Sequence, residues 1–226
     1  MDAMMKARQE LFGLSWRVPP DEKEPIELIE GALSEMERFV ESFRHALMLF
    51  DTVEANIAQI QQEDPERVHV LRGWQRMACR DAAMQLYHVE SVMRLVGKAL
   101  KAAPTLQARA DHRQRRTAIK LFAAAFPRAK IIRDAVGHSF SELSLNDGIE
   151  RHIAKKASVG GVLSLSGRIQ ISDVAVFREY AVTIAGKVHS YQLSVENLEK
   201  LRRAYKVYFT SFVSNAPSPP AQPPAS

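Results

Sequence analysis

Residues 24–61 read EPIELIEGALSEMERFVESFRHALMLFDTVEANIAQIQ, and their apolar spacing decides the fold. Leu28, Ala32, Met36, Phe39, Phe43, Leu47, Phe50, Val53, Ile57 and Ile60 recur at steps of three and four. That period places them on one stripe of an α-helix. Pro25 sits where a helix start tolerates proline. At 1.5 Å per residue the helix is about 57 Å long, far above the usual length.

Downstream, Gln61-Gln-Glu-Asp-Pro65 breaks the pattern, with Asp64 as N-cap and Pro65 opening the next helix. The second helix covers residues 66–100, with Leu71, Trp74, Ala78, Ala82, Leu86, Val89, Met93, Val96 and Leu100 as its stripe. So short a connection folds the two helices back antiparallel. Phe39, Phe43, Trp74, Leu86 and Val89 are expected in the shared core. Pro104 ends this element, and a third helix is predicted over residues 106–136. Pro127 removes a backbone donor and must kink or split that helix, and Gly137 is a natural stop. Residues 157–175 change to Gly, Ser and β-branched types. Phe177 to Gln192 then reads as a hairpin turning at Gly186-Lys187. Ser194 caps a last helix through about Phe212. Residues 214–226 hold five of the eleven prolines and are expected to be disordered.

The predicted fold class is therefore mainly α: an antiparallel bundle of long helices with a small C-terminal β-hairpin and a final helix. The expected units are an N-terminal extension (1–23), the bundle (24–145), the hairpin plus helix packed on it (146–213), and the tail. A chain of 226 residues with 46% hydrophobic side chains can bury a sizeable core. Its longest apolar run, Leu121 to Phe126, is far short of the roughly 20 residues a membrane span needs. The N-terminus lacks the apolar block of a signal peptide. A single cysteine, Cys79, permits no internal disulfide and reads as an inert core thiol. A cytoplasmic location, with no membrane association, is the expectation.

Charge is unevenly placed. Residues 1–64 carry 14 Asp/Glu against 6 Lys/Arg, net −8, whereas residues 98–133 carry ten Lys/Arg against Asp111 alone, net +9. A segment so basic suits phosphate-bearing partners. Arg109, Arg113, Arg115, Arg116 and Lys120 are the candidate RNA-backbone contacts. The plainer alternative is that this segment neutralises the acidic first helix within the fold.

Few chemical motifs are present. There is no Gly-rich phosphate loop, Cys-x-x-Cys or His-Glu-x-x-His. A carboxylate-bridged di-iron bundle needs two Glu-x-x-His pairs, and only Glu66/His69 has that spacing. Neither a metal site nor a cofactor is expected. On the second helix Asp81, Gln85 and His88 share one side, beside Arg80, and could border a polar cleft against the third helix.

The most informative stretch is Ile131-Ile-Arg-Asp-Ala-Val-Gly-His138. Arginine, a polar residue, three residues and then histidine resembles the motif of the HEPN superfamily, which is built on a helical bundle. The resemblance implies a metal-independent RNase, often a toxin or defence factor, working as a homodimer with two motifs lining one cleft. An antitoxin or other protein partner is then also implied. On it, Arg133 and His138 are the candidate catalytic residues, and Asp134 holds the polar position between them. The chemistry is coherent. Metal-free cleavage needs a base near neutrality, which histidine supplies, and a fixed cation at the phosphate, which the guanidinium fork supplies. Asp134 lies one helical turn before His138 and could orient its imidazole. Arg133 and His138 are five apart, so they converge only if the helix ends near Gly137 or a second copy closes the cleft. The competing expectation is a non-catalytic helical module that binds a protein or nucleotide, with Arg133 and Asp134 as surface residues and His138 capping the helix.

Overall fold

The seam between two long helices organises the computed structural model, which describes residues 8–9, 11–12, 18–60, 64–138, 153–159, 163–171, 174–176 and 178–213. The fold is mainly α-helical, with a small C-terminal strand region and a final helix. The expected Pro-rich tail lies outside the described residues, as does most of the N-terminal extension.

Helix α1 (Pro20–Ile60) runs 41 residues, starting four residues earlier than its periodicity predicts. Pro20 occupies its first position, and Asp21 and Glu22 follow in the first turn, where carboxylates favour the positive end of the helix dipole. Helix α2 (Pro65–Ala99) starts as expected: the Asp64 carboxylate accepts from the Arg67 amide at 2.9 Å, and Pro65 needs no donor at its position. The two pack along Ile29, Leu33, Met36, Val40, Phe43, Leu47 and Phe50 of α1 and Ala82, Leu86, Val89, Val92 and Val96 of α2.

Two expected core residues are displaced. Trp74 is 49% exposed and Leu28 is also exposed. On α2 the buried series runs Leu71, Gln75, Ala78, Cys79, Ala82, Ala83, so the stripe passes one residue beyond Trp74. Small side chains at 78, 79, 82 and 83 let α1 approach closely and leave no volume there for an indole. Phe39 is half-buried, stacked on His88 with ring centroids 4.8 Å apart. Cys79 is fully buried, as a core thiol should be.

The predicted third helix is three helices. A 3-10 turn (Leu100–Ala102) leads into α3 (Pro104–Arg109). Ala110 is extended, and Asp111 caps α4 (His112–Ala125) by accepting from the Gln114 amide at 2.9 Å. This second break follows from a good N-cap arriving six residues into a short helix. The break at Pro127 is the expected one: Phe126 leaves the helical region, as the residue before a proline does. Helix α5 (Ala129–His138) then runs through Gly137 rather than stopping there. Glu22, 5% exposed, binds α3 to α1: its two carboxylate oxygens accept from the Thr105 amide (2.8 Å) and hydroxyl (2.7 Å).

The strand region exceeds the single expected hairpin. Strands β1 (Ala154–Val159) and β2 (Leu163–Ile169) pair antiparallel. Strands β3 (Val174–Val176), β4 (Glu179–Ile184) and β5 (Lys187–Gln192) form a second sheet in that order. Its β4–β5 turn is Ala185-Gly186, both with positive φ (48° and 73°), the backbone that a two-residue hairpin favours. The sheets are joined where Ile171 exchanges bonds with Thr183, backbone amide to hydroxyl (2.8 Å) and back to carbonyl (2.7 Å). Helix α6 (Val195–Thr210) is capped by Ser194, as predicted. Its Tyr208 donates to the Met93 carbonyl at 3.1 Å, and Tyr180, Val182 and Leu193 join the same core.

Candidate nucleic-acid interface

On a face of α2 away from its seam with α1 lies α5, while α4 packs on α6 and borders the trough beside α2. The break at Pro127 turns α5 so that Ile132 and Ala129 are buried, which brings Arg133 over α2. There the guanidinium carbon lies 3.6 Å from the centre of the Tyr87 ring. Its NH1 is 2.9 Å from Asp134 Oδ1, and its Nε is buried with no hydrogen-bond partner. The Arg133 side chain is 22% exposed, so it is held by stacking and still reachable. Tyr87 answers with an acidified phenol. A hydrogen bond with Ser91 lowers its pKa most, and the Arg133 and Arg94 charges lower it further, against the opposing effect of desolvation. Arg94 donates to Ser91 Oγ at 3.2 Å and lies 3.6 Å from Glu90.

The three motif residues are thus only partly assembled. Asp134 is engaged with Arg133. His138 is the last residue of α5, and its side chain lies outside the described residues. Because α5 continues through Gly137, the backbone positions of Arg133 and His138 stand about 140° apart around the helix. One copy of this helix therefore does not put both positions on one face.

Further along α2, a trough of about 340 Å³ is lined by Arg94, Gly97, Ile119, Phe122, Phe126 and Lys130, among others. Beyond Gly97 a second cavity, also about 340 Å³, is lined by Gly97, Leu100, Lys101, Gln107, His112, Arg115 and Arg116. Gly97 lines both, and a Cβ built there meets nothing within 4 Å.

Of the predicted RNA contacts, Arg115 and Arg116 line the second cavity. Arg113 and Lys120 are exposed on α4, and Arg109 is half-buried at the end of α3. Sequence reasoning missed Lys101, His112, Tyr87 and Arg94. The first two flank the break at Asp111, which brings them together, and their basic character was the only available signal. Tyr87 and Arg94 sit seven apart, on one face of α2, a spacing visible beforehand but without meaning until α5 was placed. The Asp81, Gln85 and His88 group does not meet α5: Gln85 bonds Asp81 at 2.8 Å, and His88 turns to Phe39 on α1.

The acidic α1 finds its cations elsewhere. Glu37 pairs with Arg8 (2.9 Å), Asp51 with Arg178 (2.6 Å), and Glu41 with Arg202 (3.6 Å). Among the described residues, none of the ten basic side chains between 98 and 133 pairs with an α1 carboxylate. Among the described residues no group of three or more His, Cys, Asp or Glu could hold a metal ion, and no helix is long and apolar enough to cross a membrane. No family model, curated protein or solved structure matches the chain.

Proposed function

We propose that the α2–α4–α5 groove binds single-stranded RNA, and that the chain cleaves it as a HEPN-like, metal-independent endoribonuclease acting in the cytoplasm. The observation carrying this reading is the run of cations along the groove, with Arg133, paired to Asp134, at one end. Lys101, Arg115 and Arg116 lie at the other end, and the exposed Ile119 lies between. Cations that track a phosphate backbone are what single-strand binding requires. In the proposed reaction Arg133 holds the scissile phosphate and His138 takes the 2′-hydroxyl proton as that oxygen attacks phosphorus; the bond from phosphorus to the 5′-oxygen breaks, and that oxygen takes a proton from water and leaves as a hydroxyl. Asp134 keeps the Arg133 fork aimed. Since Arg133 and His138 do not share a face of α5, the reading needs a second copy across the cleft, and a symmetric homodimer follows from it.

The test is cleavage in EDTA. Purified protein should cut RNA to products ending in a 2′,3′-cyclic phosphate, and His138→Ala and Arg133→Ala should each abolish cutting by more than about 100-fold. Cleavage that survives His138→Ala removes this site assignment. A second reading, a non-catalytic RNA-binding module, is favoured by the engagement of Arg133 with Tyr87 and Asp134. Salt-dependent RNA binding without cleavage on a broad panel, tRNA included, would establish that second reading instead.

A further inference from the structure

The cavity beyond Gly97 holds a feature that folding alone does not explain. Arg115 projects between α2 and α6 close enough to Tyr208 for its charge to act on the phenol. Its Nε and NH1 are both buried and without a hydrogen-bond partner. A guanidinium carries five N–H donors and no means of losing its charge, and Nε and NH1 carry three of them, so leaving those buried and unpaired is destabilising. Lys101, Arg116 and His112 line the same cavity, no carboxylate does, and none of these side chains is in an ion pair with a described residue. Three fixed positive charges and an imidazole therefore line about 340 Å³ with no carboxylate among the described lining residues. Mutual repulsion makes that arrangement costly when empty and favourable around a multiply charged anion.

We infer that this cavity is a binding site for a phosphate monoester dianion, with the Arg115 guanidinium as its base and Lys101, Arg116 and His112 as its rim. A monoester suits the site better than a backbone diester, on charge and on shape. It carries up to two negative charges against the diester's one. Its chain leaves in one direction only, and the trough lined by Arg94 and Lys130 adjoins the cavity at their shared Gly97. The phosphate can be free or can be the 5′ end of a strand lying in that groove. The RNA reading bears only on that choice of source, because the pocket shares no residue with Arg133, Asp134 and His138.

The experiment compares thermal unfolding of the full chain in inorganic phosphate and in chloride at equal ionic strength, for wild type and Arg115→Met. Phosphate stabilises most proteins slightly through exclusion from their surface, so the readout is the difference between the two proteins. At phosphate about tenfold above Kd, the wild type should gain roughly 3–6 °C more than the variant. In chloride Arg115→Met should melt at the same temperature as the wild type or higher, since it removes a buried, unpaired charge. Lys101→Gln and Gly97→Leu serve as second variants, at an exposed position and at one with open space for a side chain. Both should fold and both should lose the phosphate increment. Equal increments in wild type and all variants, or none in wild type, overturn the proposal.

The source is then read by fluorescence anisotropy with a 3′-labelled oligonucleotide bearing a 5′-phosphate or a 5′-hydroxyl. At least tenfold tighter binding of the phosphorylated strand, lost in Arg115→Met, identifies a strand end. Equal binding of the two, with the thermal increment present, identifies free phosphate or a small ester. Cleavage failing in either case leaves this site untouched.

Discussion

Arg133 of α5 and Tyr87 of α2 meet in a cation–ring contact, the guanidinium carbon 3.6 Å from the ring centre. The guanidinium face lies flat on the ring, and its charge makes the phenol easier to ionise. Tyr205 and Tyr208 are shifted the other way, chiefly by burial. An ultraviolet titration should therefore show one tyrosine ionising before the rest, and Tyr87→Phe should remove that first step. Arg133→Lys should move it upward, since an ammonium neither stacks nor forks as guanidinium does. The sign for stability differs between the two classes. The depressed Tyr87 adds stability only as pH rises through its folded pKa. The raised Tyr205 and Tyr208 stay protonated in the folded chain while the unfolded chain ionises near pH 10. They cost about 1.4 kcal/mol per pH unit each above that value. Unfolding by alkali should steepen above pH ~10; a flat stability there would show both phenols reach solvent. At the β4–β5 turn Ala185 holds a positive φ that a Cβ disfavours, and Ala185→Asn creates the Asn-Gly pair such turns prefer. A gain of about 1 kcal/mol in urea unfolding is expected; a loss would mean the Ala185 side chain is needed where it stands.

The long helices are decided by which face each neighbour covers. Phe43 lies fully buried on α1, and Phe43→Ala should cost about 3–5 kcal/mol by transfer and cavity terms together. Trp74→Ala, by contrast, should cost less than about 1 kcal/mol, because the indole stands half in solvent. Chemical denaturation of the pair checks this directly, and a larger loss at Trp74 than at Phe43 would reverse the assignment of faces on α2. Both stripes were legible as helical, because a period of 3.6 is a local property of the chain. The one-residue offset from Trp74 to Gln75 was not, since it depends on how closely α1 approaches Ala78, Cys79, Ala82 and Ala83. The split of the predicted third helix was half legible: Pro127 announces its break through covalent chemistry. Asp111 needed its Gln114 cap to form first.

For the whole molecule the open question is number of copies. The proposed chemistry requires Arg133 of one copy near His138 of another, so light scattering should report twice the 25.4 kDa chain mass at micromolar concentration. A monomer across that range would remove the catalytic reading and leave the binding groove intact. Taken alone, the amino-acid sequence determined the helical class, the first two helices with their Asp64–Pro65 joint, the cap at Ser194 and the excess of positive charge between residues 98 and 133. Each of these follows from side-chain periodicity, capping chemistry or composition, which act over a few residues. Only the tertiary structure decided that Arg133 rests on Tyr87 and that Lys101, His112, Arg115 and Arg116 share one cavity. Those relations join residues 10 to 50 positions apart through the packing of separate helices, and no local pattern encodes a distance between helices.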